Sequence, residues 1–314
     1  MRTGKPENPA LAPRHERARG QYIVDGRPAA APALAPGLYL VATPIGNLRD
    51  ITLRALDVLA AADLIACEDT RHSRKLLDHY GITTQVRPYH DHNATAARPR
   101  ILTRLAEGAA IALISDAGTP LVSDPGYKLA REAGELGHNV SAVPGPSALL
   151  AALTVSGIPS DRFMFEGFLP AKESQRRARI DALRSVPATL ILFETGPRIA
   201  AALTDLAVGL GAREAAVCRE LTKLHEEARR GDLAALARAY AGGAETRGEF
   251  VIVVAPPQDR PELSMADVDT LLRAALDRLS LKEAVAETVA QTGAPRRQVY
   301  QRALALRGET NNGH

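Results

Sequence analysis

Between Gly37 and Ala255 the chain alternates short, unbroken apolar runs with longer stretches whose apolar residues recur at helical spacing. Runs that continuous suit strands covered on both faces, and their alternation with helical patterns predicts βαβ units and a largely parallel sheet. Five strands are expected first, over 38–43, 64–68, 86–89, 110–115 and 140–143. Asp50 can cap a helix over 51–61; Asp124, with Pro125 at a first helical position, can open another that runs to Leu136 before Gly137. An apolar helix from Ala148 to Ser156 leads to a second set of runs over 163–169, 189–194, 214–220 and 249–255. Gly231, Gly242, Gly243 and Gly248 mark turns there, so a mixed or antiparallel sheet is expected.

After Pro256-Pro257 the strand pattern gives way to three helices. Met265, Val268, Leu271, Leu272, Ala275, Leu276 and Leu279 make one apolar helical face. Ser280-Leu281-Lys282-Glu283 reads as a capping box and Gly293 as a stop. Pro295 opens a last helix bearing Arg296, Arg297, Gln298, Arg302 and Arg307. A helix-turn-helix and a plain helical lid or dimer appendage both fit this pattern. The expected organisation is a basic, Pro/Ala-rich mobile tail over 1–36, α/β domains over 37–147 and 148–257 with a cleft between them, and a helical extension over 258–314.

Composition narrows the class. No stretch approaches the roughly 18 apolar residues of a membrane span, and the N-terminus lacks the apolar centre of a signal peptide, so a cytoplasmic protein is expected. Cys67 and Cys218 each close an apolar run, which suits two buried thiols in a reducing compartment and no disulfide framework. With 39 Lys and Arg against 36 Asp and Glu, the net charge of +3 permits nucleic-acid binding without requiring it.

Two turns carry the densest chemistry: Ala42-Thr43-Pro44-Ile45-Gly46-Asn47 and Ser115-Asp116-Ala117-Gly118-Thr119-Pro120. Each follows an expected strand, where open α/β sheets bind ligands, and Gly and Pro there expose backbone groups on a set path. The chain contains neither G-x-x-x-x-G-K-[ST] nor G-x-G-x-x-G, so nucleotide triphosphates and NAD lose their usual mechanical support.

These segments, with Ala66-Cys67-Glu68-Asp69-Thr70-Arg71, Leu121-Val122-Ser123-Asp124-Pro125-Gly126 and Val143-Pro144-Gly145-Pro146-Ser147-Ala148, resemble the tetrapyrrole methylase superfamily over about residues 37–256. Within it they are similar to the branch that methylates a cytidine 2′-hydroxyl in small-subunit (16S) ribosomal RNA, whose helix-turn-helix extension the last helices resemble. The resemblance implies two α/β domains of the tetrapyrrole methylase type that hold S-adenosylmethionine in the cleft, and a homodimer; His90-Asp91-His92-Asn93 has no nearby Cys or further His, so no metal is expected. Carried onto matching positions, the donor would contact Asp116, Gly118, Thr119, Ser147, Ala148, Phe193 and Ala255, while Pro44, Gly46 and Asn47 shape the substrate side. A methylase of a small tetrapyrrole carbon shares the fold, and a non-enzymatic nucleic-acid-binding regulator would use the last helices alone.

A sulfonium cation needs no phosphate cradle, and an acid such as Asp116 can temper its charge. A 2′-hydroxyl is a poor nucleophile, so a base or hydrogen-bond acceptor is expected near it. Glu68, Asp69, Arg71 and His92, with His72 and His90, are the candidates; the plain alternative is that Asp69 caps a helix and Arg71 is solvated. Lys172, Arg176, Arg177 and Arg179 cluster after Gly167-Phe168-Leu169-Pro170, and Arg198 follows another turn. Arg176, Arg177 and Arg198 are expected to hold RNA phosphates. Only 4% of residues are aromatic and none is Trp, which favours structured RNA read through backbone and shape.

Overall fold

The computed structural model describes residues 20–257, 265–292 and 294–311. The chain divides into two compact units, Met1–Pro256 and Pro257–His314. In the first, strands β3 (Gly37–Val41), β4 (Leu64–Cys67), β5 (Val86–Pro88), β6 (Ala110–Ile114) and β7 (Val140–Val143) form one sheet in the order β5-β4-β6-β3-β7. Every pairing in it is parallel, as the continuous apolar runs predict. Alternate strand residues feed two cores. Tyr39, Val41, Ile65, Ala112 and Ile114 pack against α1 (Leu53–Ala61) and α2 (Thr70–His79). Leu38, Ala66, Ile111 and Leu113 pack against α3 (Ala94–Ala106) and α4 (Tyr127–Glu135). Covering both faces is what makes these strands apolar throughout.

The second sheet holds β8 (Phe163–Phe168), β9 (Thr189–Thr195), β10 (Glu214–Arg219), β11 (Glu227–Asp232) and β12 (Glu249–Val254) in the order β11-β10-β12-β9-β8. It is mixed: β8 runs parallel to β9, and the other pairings are antiparallel. One face packs on α6 (Glu173–Leu183), α7 (Ile199–Leu210) and α8 (Leu233–Ala241), and the other on α5 (Ala148–Ser156), which follows the first sheet's last strand. The edge strand β11 was not expected. Its sequence, Glu-Ala-Arg-Arg-Gly-Asp, lacks the apolar alternation that announces a strand, and antiparallel pairing with β10 forms it instead.

The expected mobile tail needs correction over residues 20–36; residues 1–19 lie outside the described part. Strands β1 (Gln21–Val24) and β2 (Arg27–Ala30) form an antiparallel hairpin about Asp25-Gly26, both at positive φ (48° and 74°). Tyr22 is buried in the first core and donates to Asp57 Oδ1 at 2.9 Å, and the Ile23 N–H donates to the Tyr80 carbonyl at 2.8 Å. The Asp-Gly pair between short runs was a hairpin signal that the Pro/Ala-rich surroundings masked.

Two helix starts also differ. Thr52, rather than Asp50, caps α1, its side chain accepting from the Ala55 N–H at 3.1 Å. Helix α4 begins at Tyr127 after Gly126, which leaves Asp124 outside any cap.

The second unit contains α9 (Met265–Leu276), α10 (Leu281–Thr292) and α11 (Arg296–Asn311) around a core that includes Val268, Leu272, Val285 and Val299. The capping box forms: the Ser280 N–H donates to Glu283 Oε2 at 3.2 Å, and the Glu283 N–H to Ser280 Oγ at 3.4 Å. Arg302 makes a two-pronged pair with Asp269 at 2.7 and 2.5 Å, whereas Arg296 and Arg297 are exposed. Gly293 and the side chains of Met265 and Arg307 lie outside the described residues. Among those described, no helix is long and apolar enough to cross a membrane.

Candidate functional site

Three loops at the carboxyl edge of the first sheet are tied together by their own backbones. After β3, the Thr43 N–H donates to the Gly118 carbonyl and the Gly118 N–H returns to the Thr43 carbonyl, both at 2.9 Å. Thr43 Oγ1 donates to the Ser115 carbonyl at 3.2 Å, and Thr119 Oγ1 to the Pro146 carbonyl at 3.3 Å, which joins the loop after β7. Gly118 sits at φ +80°, a conformation that costs an L-residue about 1–2 kcal/mol. The turn therefore needs glycine for backbone shape.

Against these loops lies a cleft of about 300 Å³. Ile45, Asp116, Gly118, Thr119 and Asp124 form its first wall, and Ser147 and Ala148 at the start of α5 form its floor. Phe168, Phe193, Cys218, Leu221 and Val251 form the wall from the second sheet. Phe193 stands edge-on to Phe165 and Phe168, with ring centroids 4.8 and 5.7 Å away. Burial pushes the Cys218 thiol up to about 11, so it stays protonated at neutral pH and acts as apolar wall.

At the rim, Lys223 donates to Glu220 Oε1 and Glu249 Oε2, each at 2.8 Å. Burial pulls the ammonium down, but those two carboxylates outweigh it and hold Lys223 above the usual lysine value. Glu220 is held low: burial raises it, and Lys223 with the Glu249 N–H more than offsets that. The lysine stem lies against Gly46, where an added Cβ would stand 2.4 Å from Lys223 Cγ. Lys223 thus connects the loop after β3 to the second sheet.

Four non-glycine residues at positive φ, Leu121 (72°), Ser123 (61°), Glu220 (50°) and Thr222 (67°), lie in or beside the two segments that frame this cleft. Such conformations cost on the order of 1 kcal/mol or more each, and they persist where packing dictates them.

Asp116, Gly118, Thr119, Ser147, Ala148 and Phe193 come together in the cleft wall. Ala255 does not. Strand β12 runs antiparallel to β9, pairing Glu249 with Thr195, so β12 starts at the cleft and Ala255 follows its far end. Pro44 is half-buried next to Ile45; Asn47 is exposed and accepts from the Arg49 N–H at 3.1 Å to start a single helical turn.

The four catalytic candidates do not line the cleft. Asp69 caps α2 by accepting from the Arg71 N–H at 2.8 Å, and its own N–H donates to Asp116 Oδ1 at 3.0 Å. Arg71 is 91% exposed and folds back onto Asp69. His92 is exposed, its ring 6.0 Å from that of His90. Glu68 is exposed at the end of β4, and its carboxyl is raised by burial and by Asp116.

The expected phosphate-binding arginines are engaged within the fold. Arg176 is buried and pairs with buried Asp205 at 2.7 Å. Arg177 shares Asp205 at 2.8 Å and reaches Glu173. Arg198 meets buried Glu194 at 3.2 Å and donates to the Leu169 carbonyl at 2.5 Å. A helical cluster of arginines looks the same in sequence whether it faces water or a buried carboxylate on another helix.

Asp124, Lys223, Cys218 and Phe168 are among the cleft residues that the sequence did not single out as donor contacts. Asp124 looks like a helix cap in the sequence; Lys223 gives no signal without Glu249, which lies on another strand. The set fits S-adenosylmethionine: an aromatic and apolar wall, a glycine-shaped backbone turn, and a carboxylate at Asp116 suited to a positive sulfur.

Comparison with known proteins agrees with this geometry. Residues 37–237 match the model of the Tetrapyrrole (Corrin/Porphyrin) Methylases, and residues 262–307 match that of the RsmI C-terminal HTH domain. The chain is 51% identical over 295 residues to the Ribosomal RNA small subunit methyltransferase I of Mesorhizobium japonicum, covering 94% of this chain and 98% of that one. It is 48% identical to the protein of the same name from Xylella fastidiosa (strain Temecula1), covering 84% and 98%. Among solved structures, the uroporphyrin-III-C-methyltransferase of Thermus thermophilus superposes with a TM-score of 0.52 at 21% identity over 70% of this chain and 94% of that one, a likeness of fold. The chain belongs to the tetrapyrrole methylase family and carries its RsmI-type C-terminal helix-turn-helix domain.

Proposed function

We propose that this chain transfers a methyl group from S-adenosylmethionine to the 2′-hydroxyl of a cytidine in 16S ribosomal RNA. The observation that carries the reading is the near full-length likeness to proteins named for small-subunit ribosomal RNA methylation, extension included. In this reading Asp116, Gly118, Thr119, Ser147, Ala148 and Phe193 hold the donor, which supplies an electrophilic methyl on a positively charged sulfur. The backbone ties among Thr43, Gly118 and Pro146 preset the wall, so little ordering remains on binding. Pro44, Gly46 and Asn47 face the RNA side. The protein works in the cytoplasm on 16S ribosomal RNA within the small subunit, and as a homodimer, which the family resemblance implies.

Positioning is the chain's main contribution, because alignment of well-oriented reactants is worth about 7 kcal/mol or more of barrier. The test supplies labelled S-adenosylmethionine with small ribosomal subunits from cells lacking this gene, and separately with uroporphyrinogen. Label at one cytidine ribose is the expected result. Label entering the porphyrin alone overturns the RNA assignment, and no donor binding by calorimetry would leave a nucleic-acid-binding regulator as the better account.

A further inference from the structure

We propose that Asp124 is the proton acceptor for the attacking ribose hydroxyl. This rests on the methyl-transfer reading and adds to it the base that the four sequence candidates do not provide.

The other titratable groups of the cleft are already committed. Asp116 Oδ1 accepts from the Asp69 N–H at 3.0 Å. Glu194 takes the Thr195 N–H and Arg198 on Oε1, and with its side chain only 1% exposed it is closed to a ribose. Glu220, Lys223 and Glu249 neutralise one another. Cys218 is protonated in the apolar wall. Among the described residues Asp124 pairs with no cation and caps no helix; its polar neighbour is the Ser115 hydroxyl, itself directed at the Gly118 carbonyl at 3.1 Å.

The backbone around Asp124 is built to present it. Leu121 and Ser123 have positive φ, and Gly126 stands at φ +130°, where a Cβ would lie 2.5 Å from Leu121 Cδ2 and 2.7 Å from Leu113 Cδ2. Ser123 Oγ lies 3.3 Å from the Cβ position of Gly167, so the segment abuts the second sheet's edge strand. Three unusual backbone conformations in six residues hold this carboxylate in the cleft wall instead of letting it cap α4.

Its environment suits a base. Burial and the carboxylates of Glu68 and Asp116 push Asp124 up to about 6, with the Ser115 hydroxyl opposing, and among the described residues no Lys or Arg offsets them. At neutral pH the group is mostly ionised yet more basic than an ordinary aspartate. As the oxygen–methyl bond forms, the hydroxyl proton passes to the Asp124 carboxylate, and the electrons of the breaking methyl–sulfur bond remain on sulfur, now a neutral thioether. The proton then leaves to solvent.

The test compares wild type, Asp124→Asn and Asp124→Glu on small subunits, after wild type alone has labelled its cytidine, a control that separates failure of the parent reading from failure of this one. The expected result is a loss of about 100-fold or more in turnover for Asp124→Asn, the range of a lost general base. Donor affinity by calorimetry and thermal stability should hold, and Asp124→Glu should recover part of the rate. Wild-type kcat/KM should fall below about pH 6, and this limb should vanish in Asp124→Asn. Carbon NMR of labelled aspartates in the free protein should show one carboxyl titrating near 6 that the asparagine variant lacks. Near wild-type turnover in Asp124→Asn, equal loss of donor binding and turnover, or a wild-type carboxyl titrating near 4 would each overturn the assignment.

Discussion

The two sheets of the first unit meet the cleft by different rules. In the parallel sheet, each loop at the site follows the end of a strand, so Thr43, Asp116 and Ser147 could all be sought at the same kind of position. In the mixed sheet, β9 and β10 end at the cleft while β12 begins there, which puts Glu249 in the wall and Ala255 at the far end. A strand-end rule learned on a parallel sheet misplaces residues on an antiparallel neighbour.

The arginine-rich helix layer over the second sheet offers the largest effect with which to test this division. Asp205→Ala should destabilise the protein by about 3 kcal/mol in urea unfolding, because it strands the buried Arg176 without a counter-charge. Donor affinity should barely change, since neither residue lines the cleft. A parallel loss of donor affinity would show that the helix layer and the cleft are one mechanical unit.

On the parallel side, Gly118→Ala should cost about 1–2 kcal/mol through its φ of +80°. It should also weaken donor binding several-fold in a calorimetric titration, because the same turn forms the wall. If only stability falls, the turn is scaffold and not contact.

Lys223→Met tests the tie between the two regions and should cost below about 1 kcal/mol at neutral pH, since its partners are partly exposed. Glu220 is held below its usual range in the folded state, so the stability it contributes is present above the ordinary glutamate value. That contribution is lost as pH falls through the lowered folded value, so melting curves of the two proteins should converge in acid. A gap that widens in acid would mean that Lys223 acts through something other than its carboxylates.

The smallest effect should come from Arg71→Ala. Its guanidinium is 91% exposed and, among the described residues, meets only Asp69 at 3.5 Å, so stability should move by less than about 0.5 kcal/mol and turnover by about twofold at most. A large drop in turnover with donor affinity intact would restore Arg71 as a contact for RNA.

Much of the first wall was legible. Leu38 to Val41 and Ala110 to Ile114 are apolar at every position because both faces are covered, and the turns after them carry the glycine and threonine that stitch the wall together. Asp124 was misread because an aspartate before Pro-Gly looks like a cap, and only burial in the folded chain, with Glu68 and Asp116 from other loops beside it, gives it a raised value. Arg176 was misread because its partner, Asp205, lies 29 residues away on another helix.

By itself the sequence determined what is local and periodic: which runs become strands, that the first sheet is parallel, where the capping box starts α10, and which turns bend through glycine. The tertiary structure alone decided what depends on distant partners: which carboxylate is left unpaired in the cleft, which arginines are buried, and which end of β12 faces the site. Periodicity and turn chemistry are written in neighbouring residues, whereas charge pairing and burial depend on groups that meet only when the chain folds.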